Sequence, residues 1–381
     1  MTGPLAGVRV VELAGIGPAP FAGMVLADLG ADVVRVDRAA ATGGLGGFGR
    51  SDVLNRGRRS IAVDLKHPDG VEVVLRLAAE SDALIEGFRP GVAERLGVGP
   101  QPCLDRNRRL VYGRMTGWGQ HGPYAAEAGH DITYAAVAGA LAHIGRAGQP
   151  PTPPLNLVAD FGGGGMLLAL GVVSGVLAAQ RTGEGQVVDA AMVDGVALLM
   201  APFFMAMRSG FFTDERGTNL LDSGAPFYDC YACADGRYVA VGALEPQFYA
   251  ALLAGLGIEP GELGEQNDRA AWPTMRRRFA AAFAARPRDE WVAHFAGRDA
   301  CVAPVNTTEE ALADPHLAAR ATIVERGGVP QPAPAPRFGV TPAALGRPPP
   351  APGEQTDEVL ASLGYRADAV ARLRGSGAVA G

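Results

Sequence analysis

Val8-Arg9-Val10-Val11-Glu12-Leu13, followed by Phe21–Leu29 and then by Asp32-Val33-Val34-Arg35-Val36-Asp37, is the stretch on which the fold turns. The outer segments are short and rich in valine, and the middle one reads as a helix. Strand, helix and strand within thirty residues make a crossover unit, and crossovers join parallel strands. The alternation continues outward. Ser60–Leu65, Ala83–Gly87 and Leu110–Met115 read as further strands, with helices over His67–Ser81 and Pro90–Leu96 between them. Each of these helices opens with residues suited to a first turn. Strands this apolar fit a parallel sheet covered on both faces, so the expected class is α/β.

The texture changes near Gly210. Tyr228–Ala234, the turn Asp235-Gly236 and Arg237–Val241 read as a hairpin. Helices over Glu245–Leu256 and Arg288–Ala296 follow, then a short strand over Cys301–Val305. A chain of 381 residues exceeds one ordinary core. The expected organisation is a large domain over 1–200, a linker over 201–224, a smaller α+β domain over 225–325 and a Pro-rich linker over 326–344. Two short helices, Glu358–Leu363 and Ala367–Leu373, lie in the final segment 345–381.

Composition narrows the function. With 48% hydrophobic and 19% charged residues the chain is a packing protein rather than a disordered one. A net charge of −6 argues against nucleic acid as a partner, because phosphate recognition needs a basic face. Locally the balance reverses. Arg35, Arg38, Arg50, Arg56, Arg58, Arg59 and Lys66 face only Asp37, Asp52 and Asp64 in the same interval, which suggests either a site for a small polyanion or a solvated face. Phe161–Gln180 is uncharged, but Gly162–Gly165 offers little apolar surface, so a buried core helix is expected and no membrane partner. The N-terminus shows no signal-peptide pattern and there are four cysteines, so cytoplasmic residence is expected.

Three motifs mislead. Gly44–Gly49 matches G-x-G-x-x-G but does not join a strand directly to a helix, and the first turn has Pro20 where a third glycine belongs. Cys230-Tyr231-Ala232-Cys233 has no second pair and no nearby histidine, so no metal site is expected. No G-x-S-x-G occurs to mark a hydrolase.

Three residues attract chemistry. His130 stands in Gly129-His130-Asp131-Ile132-Thr133-Tyr134, at a helix start before the apolar run Ala135–Leu141. Asp160 stands at the mouth of an apolar helix, followed by Gly162–Gly165, where missing side chains would let something bulky approach the backbone. Glu245 precedes Pro246 at another helix start. Each also has an ordinary reading, as a core or capping residue.

Taken together, Val8–Ala14, Leu29–Val34, Asp64-Leu65-Lys66, Arg114–Gly119 and Gly183–Asp189 resemble the class III CoA-transferase family. Within it, Gly129-His130-Asp131, Asp160-Phe161-Gly162-Gly163 and Gly242–Tyr249 resemble the branch of racemases that act on 2-methylacyl-CoA thioesters. The resemblance spans nearly the whole chain, to Leu363-Gly364-Tyr365. Ala159 and Gly164 depart from it, standing where the family pattern has Gly and Ser.

The resemblance implies a Rossmann-like large domain, completed by 345–381, and an interlocked homodimer with the small domain of one subunit against the large domain of the other. Glu245 would then arrive from the partner. It implies an acyl-CoA thioester as substrate, carrying its own CoA and needing no separate cofactor. Arg38, Lys66 and Arg95 would lie at or beside the CoA phosphates, and Lys66 is the only lysine among 34 basic residues.

A racemase takes the C2 proton from one face and returns one to the other, which requires two groups that exchange acid and base roles. The expected pair is His130 and Asp160, with Glu245 orienting His130 and the backbone N–H of Asp131 meeting the enolate oxygen. Met200, Met205 and Met207 would serve an acyl tail, or else the core. The alternatives are a CoA-transferase in which Asp160 attacks the thioester, and a non-catalytic acyl-CoA binder.

Overall fold

The computed structural model describes residues 2–40 and 49–381. The glycine-rich stretch Ala39–Gly49, with the pattern at Gly44–Gly49, falls almost wholly outside the described residues. Two compact units divide the chain. The first comprises Met1–Ala138, Leu155–Leu199 and Arg320–Gly381, and the second Gly139–Pro154 and Met200–Ala319.

The first unit is built on β1 (Arg9–Leu13), β2 (Asp32–Arg38), β3 (Arg58–Val63), β4 (Ala83–Glu86), β5 (Val111–Thr116) and β6 (Gln186–Ala191). Their order in the sheet is β3-β2-β1-β4-β5-β6, all parallel, and Val379–Ala380 pairs antiparallel to β3 at the edge. This is the expected α/β, Rossmann-like arrangement. Val11, Leu13, Val34, Ile61 and Tyr112 enter a core shared with Val73, Val74 and Leu77 of the helix Pro68–Ala79. Val359, Leu360 and Leu373 of the C-terminal segment complete that core. On the other face, a methyl at Gly113 would touch Leu168 and Val172 of the helix Met166–Thr182. The strand order reverses between β1 and β4, so the loops after those strands diverge and leave a crevice.

Several elements were not anticipated. β6 is an edge strand with Gln186, Val187 and Asp189 exposed, so it lacks the apolar run that announces a central strand. Ile323–Arg326 and Val329–Pro332 form an antiparallel hairpin at the start of the Pro-rich stretch. The helix Met166–Thr182 buries Leu168, Val172 and Val176 but exposes Met166, Leu170 and Leu177, so it is a core helix on one side only. With the preceding helical segment it is long and apolar enough to cross a membrane by length and composition.

The basic interval is not one open anion site. Arg58 and Glu12 are fully buried and meet at 2.6 Å, and Arg56 pairs with buried Asp28 at 2.5 Å. Arg35 pairs with Glu12 and Asp37, Arg59 with Asp32, and Arg50 with Glu354. Counting charges along that interval missed Glu12, Asp28, Asp32 and Glu354, which lie outside it in the sequence. Arg38 and Lys66 alone of the seven are exposed and without an ion pair among the described residues.

The second unit has an antiparallel sheet of β7 (Tyr228–Ala232), β8 (Tyr238–Gly242) and β9 (Val302–Pro304) in sequence order. Phe227, Tyr231 and Val239 pack with Met275, Phe279 and Phe283 of Trp272–Phe283, a helix the sequence reading missed. Asp229, buried at the start of the hairpin, is held by Arg146 and Arg276.

Candidate active site

A cleft of about 290 Å³ opens in the first unit at the carboxyl ends of β1, β4 and β5. The turn Ile16–Pro18 and the segment Gly87–Pro90 line it, so it occupies the crevice that the strand order leaves. His130, Tyr134 and Asp160 line the same cleft. The chain therefore brings the two expected acid–base residues to one cavity from segments thirty residues apart.

His130 is the N-cap of the short helix Asp131–Val137, in extended conformation with φ −140° and ψ 171°. The Thr133 hydroxyl accepts the His130 N–H at 3.0 Å and donates to the His130 carbonyl at 2.7 Å. This clasp holds the backbone. The imidazole itself is exposed.

Asp160 differs from its expected place. It is not an N-cap but lies within a π-helix, Leu157–Gly165, that runs directly into Met166–Thr182. A helix start leaves its first N–H groups without internal acceptors. Here Asp131 Oδ2 accepts the N–H of Ala159 at 2.7 Å and of Asp160 at 2.8 Å, which lets the helix begin earlier than the sequence indicates. The Asp160 carboxyl accepts from Asn156 Nδ2 at 3.2 Å and lies beside Gly17, the N-cap of the helix Pro18–Asp28. Burial pushes its pKa above the usual aspartate range and the Asp131 charge adds to the rise, while the Asn156 donor and His130 oppose it.

Asp131 itself is 4% exposed. Its backbone N–H sits in the first turn of Asp131–Val137, where such groups have no partner within the helix. Tyr134 packs between Gly117 and Gly129, whose missing side chains make room for its ring. Burial and the charge of Asp160 push its phenol upward, and Arg89 opposes them.

The glycine run has a different use from the one expected. A methyl on Gly195 would lie 1.8 Å from the Gly163 carbonyl oxygen, so the helix Met192–Leu199 meets the π-helix backbone to backbone. Gly164 faces Met192 and Met115, and Gly165 faces Phe21. The bulky neighbour that these three glycines admit is the protein itself. A serine at 164 would meet Met192 Cγ at 2.7 Å, which accounts for glycine there.

Arg38, at the end of β2, and Lys66, just past β3, are exposed at the same carboxyl edge of the sheet, and Arg95, also exposed, closes the helix Val92–Arg95 after β4. Glu245 belongs to the second unit. It is exposed and is the N-cap of the helix Pro246–Leu256, with its carboxylate making no capping bond. In that unit Met205 is exposed and Met200 buried.

Arg89, Asn156 and Glu86 escaped the sequence reading. Arg89 follows β4, one of the two strands that flank the crossing point, a position that strand order alone would have flagged. Glu86 is fully buried behind the cleft wall, accepting from the Phe88 N–H at 2.5 Å and from Arg114 at 3.1 Å. Burial outweighs both donors and pushes it to about 7. Among the described residues no group of histidine, cysteine, aspartate or glutamate is arranged to hold a metal ion.

Residues 5–356 match CoA-transferase family III. The chain belongs to that family. Among its members, alpha-methylacyl-CoA racemase of Mus musculus is 48% identical over 371 residues, covering 97% of this chain and 96% of that protein. Alpha-methylacyl-CoA racemase of Homo sapiens is 45% identical over 374 residues, again covering 97% of this chain and 96% of the other. A CAIB/BAIF family protein from Brucella suis has the same fold, with a TM-score of 0.80 at 27% identity over 95% of this chain and 100% of that one. In this family III chain the crossing-point cleft thus carries His130 and Asp160 together.

Proposed function

We propose that this protein is an isomerase that inverts C2 of 2-methylacyl-CoA thioesters by two-base proton transfer. The observation that carries the reading is His130 and Asp160 lining one cleft, in a chain nearly half identical to proteins named as racemases. In one direction neutral His130 takes the C2 proton and protonated Asp160 gives one to the opposite face. The products are imidazolium and carboxylate, which are the starting forms for the reverse direction. The upward shift of Asp160 favours the protonated form that it needs when it acts as the acid. The Asp131 N–H would meet the enolate oxygen, and Glu245 would orient His130.

Arg38, Lys66 and Arg95 are the proposed contacts for CoA phosphates, supported by their exposure along one edge of the sheet. CoA then enters as part of the substrate and no further cofactor takes part. The same proposal includes a homodimer, with Glu245 supplied by the partner. Exposed Leu155, Leu157, Leu170, Leu177 and Leu198 in the first unit support a covered face, and light scattering tests it. A cytoplasmic site of action is in keeping with four free cysteines, and fractionation tests it.

The deciding experiment incubates a single enantiomer of a 2-methylacyl-CoA in D₂O. Deuterium at C2 with formation of the opposite enantiomer is expected. Transfer of CoA to an added free acid without C2 exchange would assign Asp160 as the nucleophile of a transferase, and binding with neither reaction would leave a carrier.

A further inference from the structure

We infer that Asp131 is a positioning residue that ties the two bases together, its backbone carrying His130 and its carboxylate holding the backbone of Asp160. The inference rests on the racemase reading for its kinetic consequence, but its structural content is independent of it. Peptide continuity fixes Asp131 to His130, and the clasp of Thr133 makes that junction rigid. One oxygen, Oδ2, then takes both the Ala159 and Asp160 N–H groups, at 2.7 and 2.8 Å. No other polar side chain is hydrogen-bonded to the backbone of either residue among the described residues. A single side chain thus makes the hydrogen bonds that join the two segments among the described residues.

A simple helix cap would explain the two hydrogen bonds but not the rest. Asp131 Oδ1 is buried and has no partner among the described residues, an arrangement that caps at the surface do not need. The Asp131 charge also acts on Asp160, pushing its pKa in the same direction as burial does, against the Asn156 donor and His130. Asp131 therefore does two things at once for Asp160, fixing where it is and favouring its protonated form. The carboxylate acts as a positioning group, a role separate from that of the Asp131 N–H proposed to meet the enolate oxygen.

The test uses the full-length protein and two variants, Asp131→Asn and Asp131→Ala, each checked for folding by circular dichroism. Asparagine keeps an oxygen able to accept both N–H groups but removes the charge, whereas alanine removes both. The first measurement is the titration of the ¹³C-labelled Asp160 carboxyl by NMR, which needs no assumption about the reaction. Its midpoint should fall in Asp131→Asn, and an unchanged midpoint in both variants overturns the inference. The second is C2 exchange in D₂O. Asp131→Ala should lose about 100-fold in kcat with KM changed less than about threefold, since a displacement near 1 Å is enough for such a loss. Asp131→Asn should recover most of kcat, with the acidic limb of its pH profile moved down. If Asp131→Ala merely melts earlier while keeping kcat and the Asp160 titration, the residue is a cap and nothing more. Absence of exchange in the unaltered protein would sink the racemase reading, and the Asp160 titration would still decide the role of Asp131.

Discussion

The two proposed bases are housed in opposite ways. His130 stands at the open end of a seven-residue helix, clasped at its backbone by Thr133, with its ring in solvent. Asp160 is half-buried in a π-helix that touches its neighbour backbone to backbone and draws its N–H bonds from another helix. One group is accessible and free to turn, the other enclosed and fixed. The contrast suits a reaction in which one face of the substrate meets an exposed imidazole and the other a half-buried carboxyl. Histidine needs little help to titrate near neutrality, whereas aspartate must be raised by removing it from water.

The largest expected effects come from the bases themselves. His130→Ala and Asp160→Asn should each slow C2 exchange by about 10²–10⁴-fold, the usual contribution of a positioned acid or base. The contrast in housing predicts that added imidazole restores part of the His130→Ala rate, while added formate does little for Asp160→Ala. Equal rescue of both would mean that the enclosure of Asp160 is not real.

Gly195→Ala tests the rigid side next. A methyl 1.8 Å from the Gly163 oxygen forces the π-helix away, and overpacking of this kind costs about 1–3 kcal/mol. Thermal melting should show the loss, and kcat should fall while imidazole rescue of His130→Ala in that background persists. A variant as stable and active as the parent would show that the backbone contact is dispensable.

Glu86 probes the wall between them. Its carboxyl is raised to about 7 from an ordinary 4.5, so between those values the folded chain holds a proton that the unfolded chain has released. Stability from this group is therefore complete below about pH 4.5 and is lost as pH rises towards 7. Glu86→Gln should flatten denaturation midpoints measured from pH 5 to 7, by on the order of 1–3 kcal/mol across that range. An unchanged slope would place the titration elsewhere. The smallest effect belongs to Thr133→Val, which removes the clasp on His130. About 1 kcal/mol of stability should go, as for other helix-start hydroxyls, with exchange slowed only a few-fold.

Much of this was legible in advance. β1 to β5 appear within two residues of their expected ends, because central parallel strands must be apolar throughout. His130 and Asp160 stood out by residue type and position. The elements that escaped are those at edges or with mixed surfaces: β6, the pair Val379–Ala380 and the hairpin after Ile323. Edge strands are half in water and carry no distinctive run. Arg56 and Arg58 looked like part of an anion site and proved to be internal partners of Asp28 and Glu12, 28 and 46 residues away.

The order of residues was enough to specify the alternating strands and helices and the two residues proposed to carry a proton. Periodicity and turn chemistry act over a few residues, and those features are all local. It did not specify that Asp160 would sit inside a helix, that the glycines would admit a neighbouring backbone, or that Asp131 would reach residues 28 and 29 positions on. Such contacts depend on which surfaces meet after the sheet has formed, and no short-range pattern encodes them.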